Sequence, residues 1–301
     1  VAITPTDQAD ITANGLYVGS VANKTAFAAS NLLRSGFMSD ASAVGTLSPV
    51  ANKVSFPVWD FTNVVSATLP ADGSALTNVG NATYSFVDET CDKVIVSTQA
   101  VESAILTGVG GPTGYLDQLG KRVGNCLATS IENSAYAKAK ALAVAASQVV
   151  DADTDNINYD VIVQAASQKW GAHWRPGNCA IVMHSLVHGY LLQDEDFKRA
   201  MTSSKADLAG NPLSFFAGMQ IIISDAVTAT GSGATAVYDN LLITRDCLKV
   251  FMNGDVRMKK VHIPGSDTDA YDAIYSFATH ASRDYPTGAI VLQTLATTPT
   301  P

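Results

Sequence analysis

Residues 112–147 read PTGYLDQLGKRVGNCLATSIENSAYAKAKALAVAAS. Leu116, Leu119, Val123, Leu127, Ile131, Ala135, Ala139, Leu142 and Ala146 recur at steps of three and four, so an apolar stripe runs along one helical face. Asp117 and Lys121 stand four apart on another side, acid first, the order that supports a helix. Pro112 suits the first turn, where its missing N–H costs nothing. At 1.5 Å per residue such a helix runs to about 50 Å. That is longer than a small domain is wide, so other elements should lie along it as along a strut. Its alanine-rich end permits close backbone approach.

The whole chain has 301 residues, enough for one large domain or two ordinary ones. The formal net charge of −8 argues against general nucleic-acid binding, which needs clustered Lys and Arg. No run of about eighteen apolar residues occurs, so no transmembrane helix is expected. The opening VAITPTDQAD lacks both a signal-peptide pattern and an initiator Met, so residues are expected to have been removed ahead of it. Cys91, Cys126, Cys179 and Cys247 form no C-x-x-C and sit in apolar contexts, which favours buried free thiols in a reducing compartment.

Outward from the strut, residues 1–48 are rich in Ala, Ser, Thr and Asn and poor in large apolar residues. They read as an extended arm with at most a short helix, needing another surface to lie on. Val54, Phe56 and Val58 alternate in VSFPVWDFTNVVS, and Pro57 demotes that strand to an edge or ribbon. ATLPADGSALTNVGN is dense in turn residues. Alternation resumes at Tyr84 and Phe86 and at Val94 and Val96, so Val54 to Val96 reads as one long hairpin with a broad tip. A lone ribbon is marginal in water. Phe56, Trp59 and Phe61 are therefore the candidate contacts with another chain.

AVESAILTG reads as a short helix and GVGGPTG as a joint that lacks the phosphate-loop pattern. After the strut, DADTDNIN is a polar break. YDVIVQAASQKWG is a helix with Val161, Ile162, Ala165 and Trp170 on its buried face. CAIVMH is a strand, and SLVHGYLLQDEDFKRAM is a helix capped by Ser185. Met219 to Ser224 is a second strand ending at Asp225, and VYDNLLITRDCLKVFM is a third, completing an α/β subdomain over 155–250. The last fifty residues alternate at Tyr271, Ala273, Tyr275 and Phe277. They suggest a small antiparallel sheet whose partner is the strut's apolar stripe.

The chain offers little chemistry. His184 and His188 are four apart, but Ser185 stands where a zincin needs Glu, and a strand–helix boundary divides them. Asp194, Glu195 and Asp196 read as a solvated helix face. Asp225 ends a strand without an identifiable partner, and no G-x-S-x-G elbow occurs. Lys53 and Asn253 would need to meet across subunits, beside a desolvated acid, to form an isopeptide. No catalytic, cofactor-binding or metal-ligating residue is assigned.

The element order resembles that of the major capsid proteins of tailed bacteriophages, with the Hong Kong 97-type α+β fold. The likeness rests on the hairpin, the strut, NCAIVMHSLVHGYLLQDEDF, FFAGMQIIISDAV with VYDNLLITRDCLKVF, and YDAIYSFATHASRDY. It implies an N-terminal arm (1–48), an extended β-hairpin loop (49–97), a peripheral domain with its spine helix (98–154), an axial α/β domain (155–250) and peripheral β strands (251–301). It also implies self-assembly of pentamers and hexamers into an icosahedral virion capsid enclosing double-stranded DNA. Assembly in the host cytoplasm, and scaffold, portal or decoration proteins as partners, come with it; a membrane and cofactors do not. An encapsulin-type nanocompartment shell is the alternative within the fold. A cytosolic α/β enzyme and a secreted surface or fibre protein are the alternatives outside it.

Overall fold

The structure is a computed structural model. It describes residues 8–41, 46–48, 53–60, 83–101, 111–171, 174, 177–195, 215–216, 218–245, 247–252, 256–262, 268–282 and 288–295. Among the described residues the α-helices are α1 (Gln8–Ala29), α2 (Asn31–Ser35), α3 (Gly111–Ala145), α4 (Tyr159–Trp170) and α5 (Ser185–Leu191). The strut is α3, 35 residues long, and it buries Leu119, Val123, Leu127, Ile131, Ala135 and Ala139 as the stripe requires. Asp117 and Lys121 form the expected ion pair at 2.7 Å.

Two sheets and a ribbon surround it. The first sheet contains β1 (Met38–Asp40), β5 (Asp92–Val101), β12 (Leu248–Met252), β13 (Arg257–His262) and β14 (Thr268–Ala281). The long β14 carries β12 and β13 in succession along one side and β5 along the other. The second sheet runs β6 (Val149–Asn156), β15 (Ala289–Leu295), β11 (Val237–Thr244), β7 (Cys179–Met183), β9 (Met219–Ile223), β8 (Phe215–Phe216), with β10 (Ala229–Thr230) also on β11. The ribbon is β2 (Thr46–Ser48), β3 (Lys53–Asp60) and β4 (Thr83–Thr90). Because β2 stops opposite Ser55, β3 is an edge strand by Pro57, where a missing N–H is tolerated. The strut packs against β14 and β5 of the first sheet and β15 and β11 of the second, so its stripe is the common core.

Several expectations need correction. Residues 8–41 are not an extended arm. α1 lies along the strut and buries Val18, Ala22 and Ala26, and the following segment buries Leu32, Leu33, Phe37 and Met38. The physical reason is close approach between small residues. A Cβ on Gly124 would sit 2.6 Å from the Ala22 carbonyl oxygen, and one on Gly120 would sit 2.8 Å from Val21. A glycine pair four apart opens the groove that a weakly apolar helix needs to gain contact.

The long hairpin ends earlier than its alternation implies. Its legs are β3 and β4, paired from Lys53 with Thr90 to Asp60 with Thr83. Past Cys91 the chain enters the first sheet as β5, where Val94 and Val96 face the core. DADTDN is no break: it belongs to β6, parallel to β15. The expected third strand is two strands, β11 and β12, in different sheets. The late strands are likewise divided, since β15 joins the second sheet. α5 is capped by His184, whose Nδ1 accepts the Leu186 N–H at 3.1 Å, rather than by Ser185. The AVESAILTG helix after Val101 and the hairpin tip over 61–82 lie outside the described residues.

Candidate assembly surface

The hairpin is anchored at its root by one inward face. Val54 and Phe56 are fully buried, with Cys91, Ala41, Phe251 and Ala278 around them. Phe56 therefore sits in its own chain's core, a correction to its expected role as a contact with another chain. Opposite Val54 in the ladder stands Glu89. Its Oε1 lies 3.0 Å from Nδ1 of His280 on β14, and its Oε2 accepts a hydrogen bond from Lys138 on the strut. Burial acts to raise the Glu89 pKa, but the hydrogen bonds to His280 and Lys138 outweigh it and hold the carboxyl below its ordinary value.

The hairpin's other face looks outward. Tyr84 and Phe86 are 47% and 57% exposed, an edge-on aromatic pair with centroids 5.1 Å apart. Opposed residues of an antiparallel ladder share a face, so Pro57, opposite Phe86, belongs to this one; the backbone of Trp59 pairs with Tyr84. Ser55 donates to Asp88 Oδ1 at 2.6 Å on the same side. Trp59 is placed by its backbone pairing with Tyr84, and Phe61 lies outside the described residues. Two aromatic rings side by side thus leave much of their apolar area in water.

A second polar knot holds the body. Glu132 on the strut accepts from Ser30 Oγ (2.8 Å) and the Leu32 N–H (3.3 Å) with one oxygen, and from Ser224 Oγ (2.7 Å) with the other. One carboxylate thereby joins the α1–α2 junction, the strut and the end of β9. Farther along, Lys140 donates to Asp239 Oδ2 at 2.6 Å, and Gln293 donates to Asp239 Oδ1 at 2.8 Å. The Tyr136 hydroxyl donates to the Asp239 carbonyl at 2.7 Å, and burial pushes that phenol up in pKa.

The remaining candidate residues have structural partners. Ser185 Oγ donates to Asp225 Oδ1 at 2.8 Å, while His184 Nε2 lies 3.7 Å from the same oxygen. With Nδ1 accepting a backbone N–H, neutral His184 carries its proton on Nε2 and cannot take one from Ser185. That is not the base–nucleophile order of acyl-transfer sites. His188 is buried and its pKa is lowered by that burial. Asp194 accepts the Tyr159 N–H at 3.2 Å, close to the start of α4; Glu195 is exposed, and Asp196 lies outside the described residues. Among the described residues no three His, Cys, Asp or Glu side chains converge as a metal site. No described helix is long and apolar enough to cross a membrane. All four cysteines are free thiols, but Cys126 is exposed, contrary to expectation. Burial and the neighbouring Asp92 raise the Cys91 pKa, which disfavours its thiolate. Lys53 begins β3, and Asn253 lies outside the described residues.

Sequence reasoning missed the Glu89 clamp and the Gly120–Gly124 groove. The glycine spacing, matched by Val18, Ala22 and Ala26 on α1, was the readable signal for the second. Nothing local marks the first, since its three residues come from three distant segments.

No family model matches the sequence, and no curated protein does. Among solved structures, the chain is similar to the capsid of Ralstonia phage GP4, with a TM-score of 0.60 and 14% identity over 88% of each chain. It is similar to the capsid of cyanophage P-SCSP1u, with a TM-score of 0.55 and 13% identity over 86% of each chain. It is also similar to the capsid of an empty GTA particle, with a TM-score of 0.56 and 12% identity, over 88% of this chain and 90% of that one. The chain therefore has the α+β fold of these capsid subunits over nearly its whole length.

Proposed function

We propose that this chain is a major capsid protein, a structural and non-enzymatic subunit that assembles with its own copies into the icosahedral shell around a phage double-stranded DNA genome. The observation that carries this is a capsid-subunit fold combined with a hairpin anchored by Phe56 and Glu89 that presents Tyr84 and Phe86 to solvent. The described part of the arm, α1, folds onto its own strut, so this reading rests on the hairpin. Pentamers and hexamers are the assemblies such a heterologous contact closes into. The net charge of −8 suits a wall that encloses DNA without gripping it. Scaffold, portal or decoration proteins would act on this lattice, and its place is the virion, with assembly in the host cytoplasm.

The test is to purify the chain, pass it over a sizing column and image it by negative stain. Shells or capsomer-sized rings are expected. A monomer at all concentrations, with ligand-dependent melting, would favour an enzyme; closed shells isolated from cells with a protein cargo and no DNA would favour a nanocompartment.

A further inference from the structure

We propose that the outward face of the first sheet receives the acidic edge strand β6 of a second copy, an inference that rests on the shell reading above. The ladder places Ile95 opposite Ile274, and Ile274 opposite Arg257 on its other side. One step along are Ser97, Asp272 and Lys259, and on the other side are Lys93 and Ser276. Val94, Val96, Ala273 and Tyr275 are buried toward the strut, so these alternate residues face away from it. Among the described residues, the hairpin root covers this face only at its other end, over Ala278 and His280. Ile95 is left 60% exposed at the centre of the open half, the most exposed large apolar side chain described.

An apolar centre rimmed by charge is the anatomy of a protein interface. Here the rim among the described residues is Lys93, Arg257 and Lys259 with Asp272 as its one acid, a local cationic surface on a chain of net charge −8. Nucleic acid is the poorer fit, since phosphates gain nothing from two isoleucines and no aromatic ring stands among these residues for a base to stack on.

The complementary surface is on the same molecule. β6 ends the second sheet, with β15 on one edge and no strand on the other among the described residues. Its sequence, VVDADTDN, carries three acids and no base, and Asp151, Asp153 and Asp155 are all exposed. Acids on an edge strand prevent that edge from pairing with another like itself. They also suit it to a cationic face, while Val149, Val150 and Ala152 pack against the chain's own core and hold the strand in place. Two different patches make a head-to-tail contact, the kind that closes into rings.

Three variants test this: Lys93→Glu with Arg257→Glu and Lys259→Glu; Asp151→Lys with Asp153→Lys and Asp155→Lys; and all six together. Each triple is expected to cut particle yield about tenfold or more at unchanged melting temperature, and the six-fold swap to restore it. In a second measurement, Ser97→Cys with Asp153→Cys in a Cys126→Ser background is oxidised in otherwise unaltered particles. Disulfide-linked multimers are expected on a non-reducing gel. Triples that assemble normally, a swap that fails to rescue variants shown to be folded, or an oxidised gel holding only monomer overturns the contact and leaves the shell reading intact. So does a basic-face triple whose shells form normally but lose DNA. A wild-type chain that never assembles overturns both.

Discussion

The ring of Phe56, on the hairpin, stacks on that of His280, on β14, with centroids 5.3 Å apart and planes 18° from parallel. The same imidazole lies 3.0 Å from Glu89 through Nδ1. Hairpin and sheet are thus joined by one apolar and one polar contact on a single histidine. The described legs of the hairpin, β3 and β4, run on from that joint.

Phe56→Ala is expected to destabilise the isolated subunit by about 3–5 kcal/mol, the range for emptying a buried aromatic site. Phe86→Ser should leave denaturant unfolding of the subunit within about 0.5 kcal/mol, since its ring is mostly in water, and should lower particle yield. Equal effects of the two changes on subunit stability would contradict the inward and outward assignment of the hairpin's faces.

Acid should weaken the fold in two windows. Burial lowers the His188 pKa, so the unfolded chain gains a proton first as pH falls below the ordinary value of 6.5, and stability drops from there. The Glu89 carboxyl is held below its ordinary 4.5 by the clamp, so its contribution is complete above 4.5 and disappears as pH falls through the lowered folded value. Urea titrations at successive pH values should show both declines. His188→Gln should remove the first and Glu89→Gln the second; a decline that survives its substitution refutes the assignment.

The helix crossing should tolerate no methyl group at Gly124. Gly124→Ala is expected to cost about 1–3 kcal/mol, because the new Cβ meets backbone at 2.6 Å. Gly189, in α5, has nothing within 4 Å of its hypothetical Cβ, so Gly189→Ala should instead stabilise by roughly 0.5–1 kcal/mol. Thermal melting of the two variants, moving in opposite directions, is the check.

Glu132→Ala should be among the more damaging polar substitutions. It leaves Ser30 Oγ, Ser224 Oγ and the Leu32 N–H without their carboxylate, at about 2–4 kcal/mol in total. Hydrogen exchange should rise in α2 and at the end of β9 together. Exchange confined to the strut would show that Glu132 does not join the three elements.

The strut, α4, β7 and β9 were legible because their large apolar residues repeat at the period of their secondary structure, and a buried face needs little else to declare itself. The same logic supported the element order and hence the fold. α1 was not legible in this way. Its buried stripe is Val18, Ala22 and Ala26, too small to stand out until Gly120 and Gly124 present a groove that small residues fill. β6 was hidden because an acidic strand is held by backbone bonding to β15, which leaves no apolar pattern.

The hairpin marks the boundary between the two kinds of information. Tyr84, Phe86, Val94 and Val96 fall on positions of one parity, with Asp88, Thr90 and Asp92 between them, yet at Cys91 the chain changes sheets, so the first pair faces water and the second the core. By itself the sequence determined that the strut and α4 are helices and that β7 and β9 are strands, since their apolar periodicity depends on neighbours a few residues away, whereas α1 and β6 carry no such pattern. Which face is inside, and which residues are left for another molecule, was decided only by the tertiary structure, because a face is buried by whatever segment arrives from a distance to cover it.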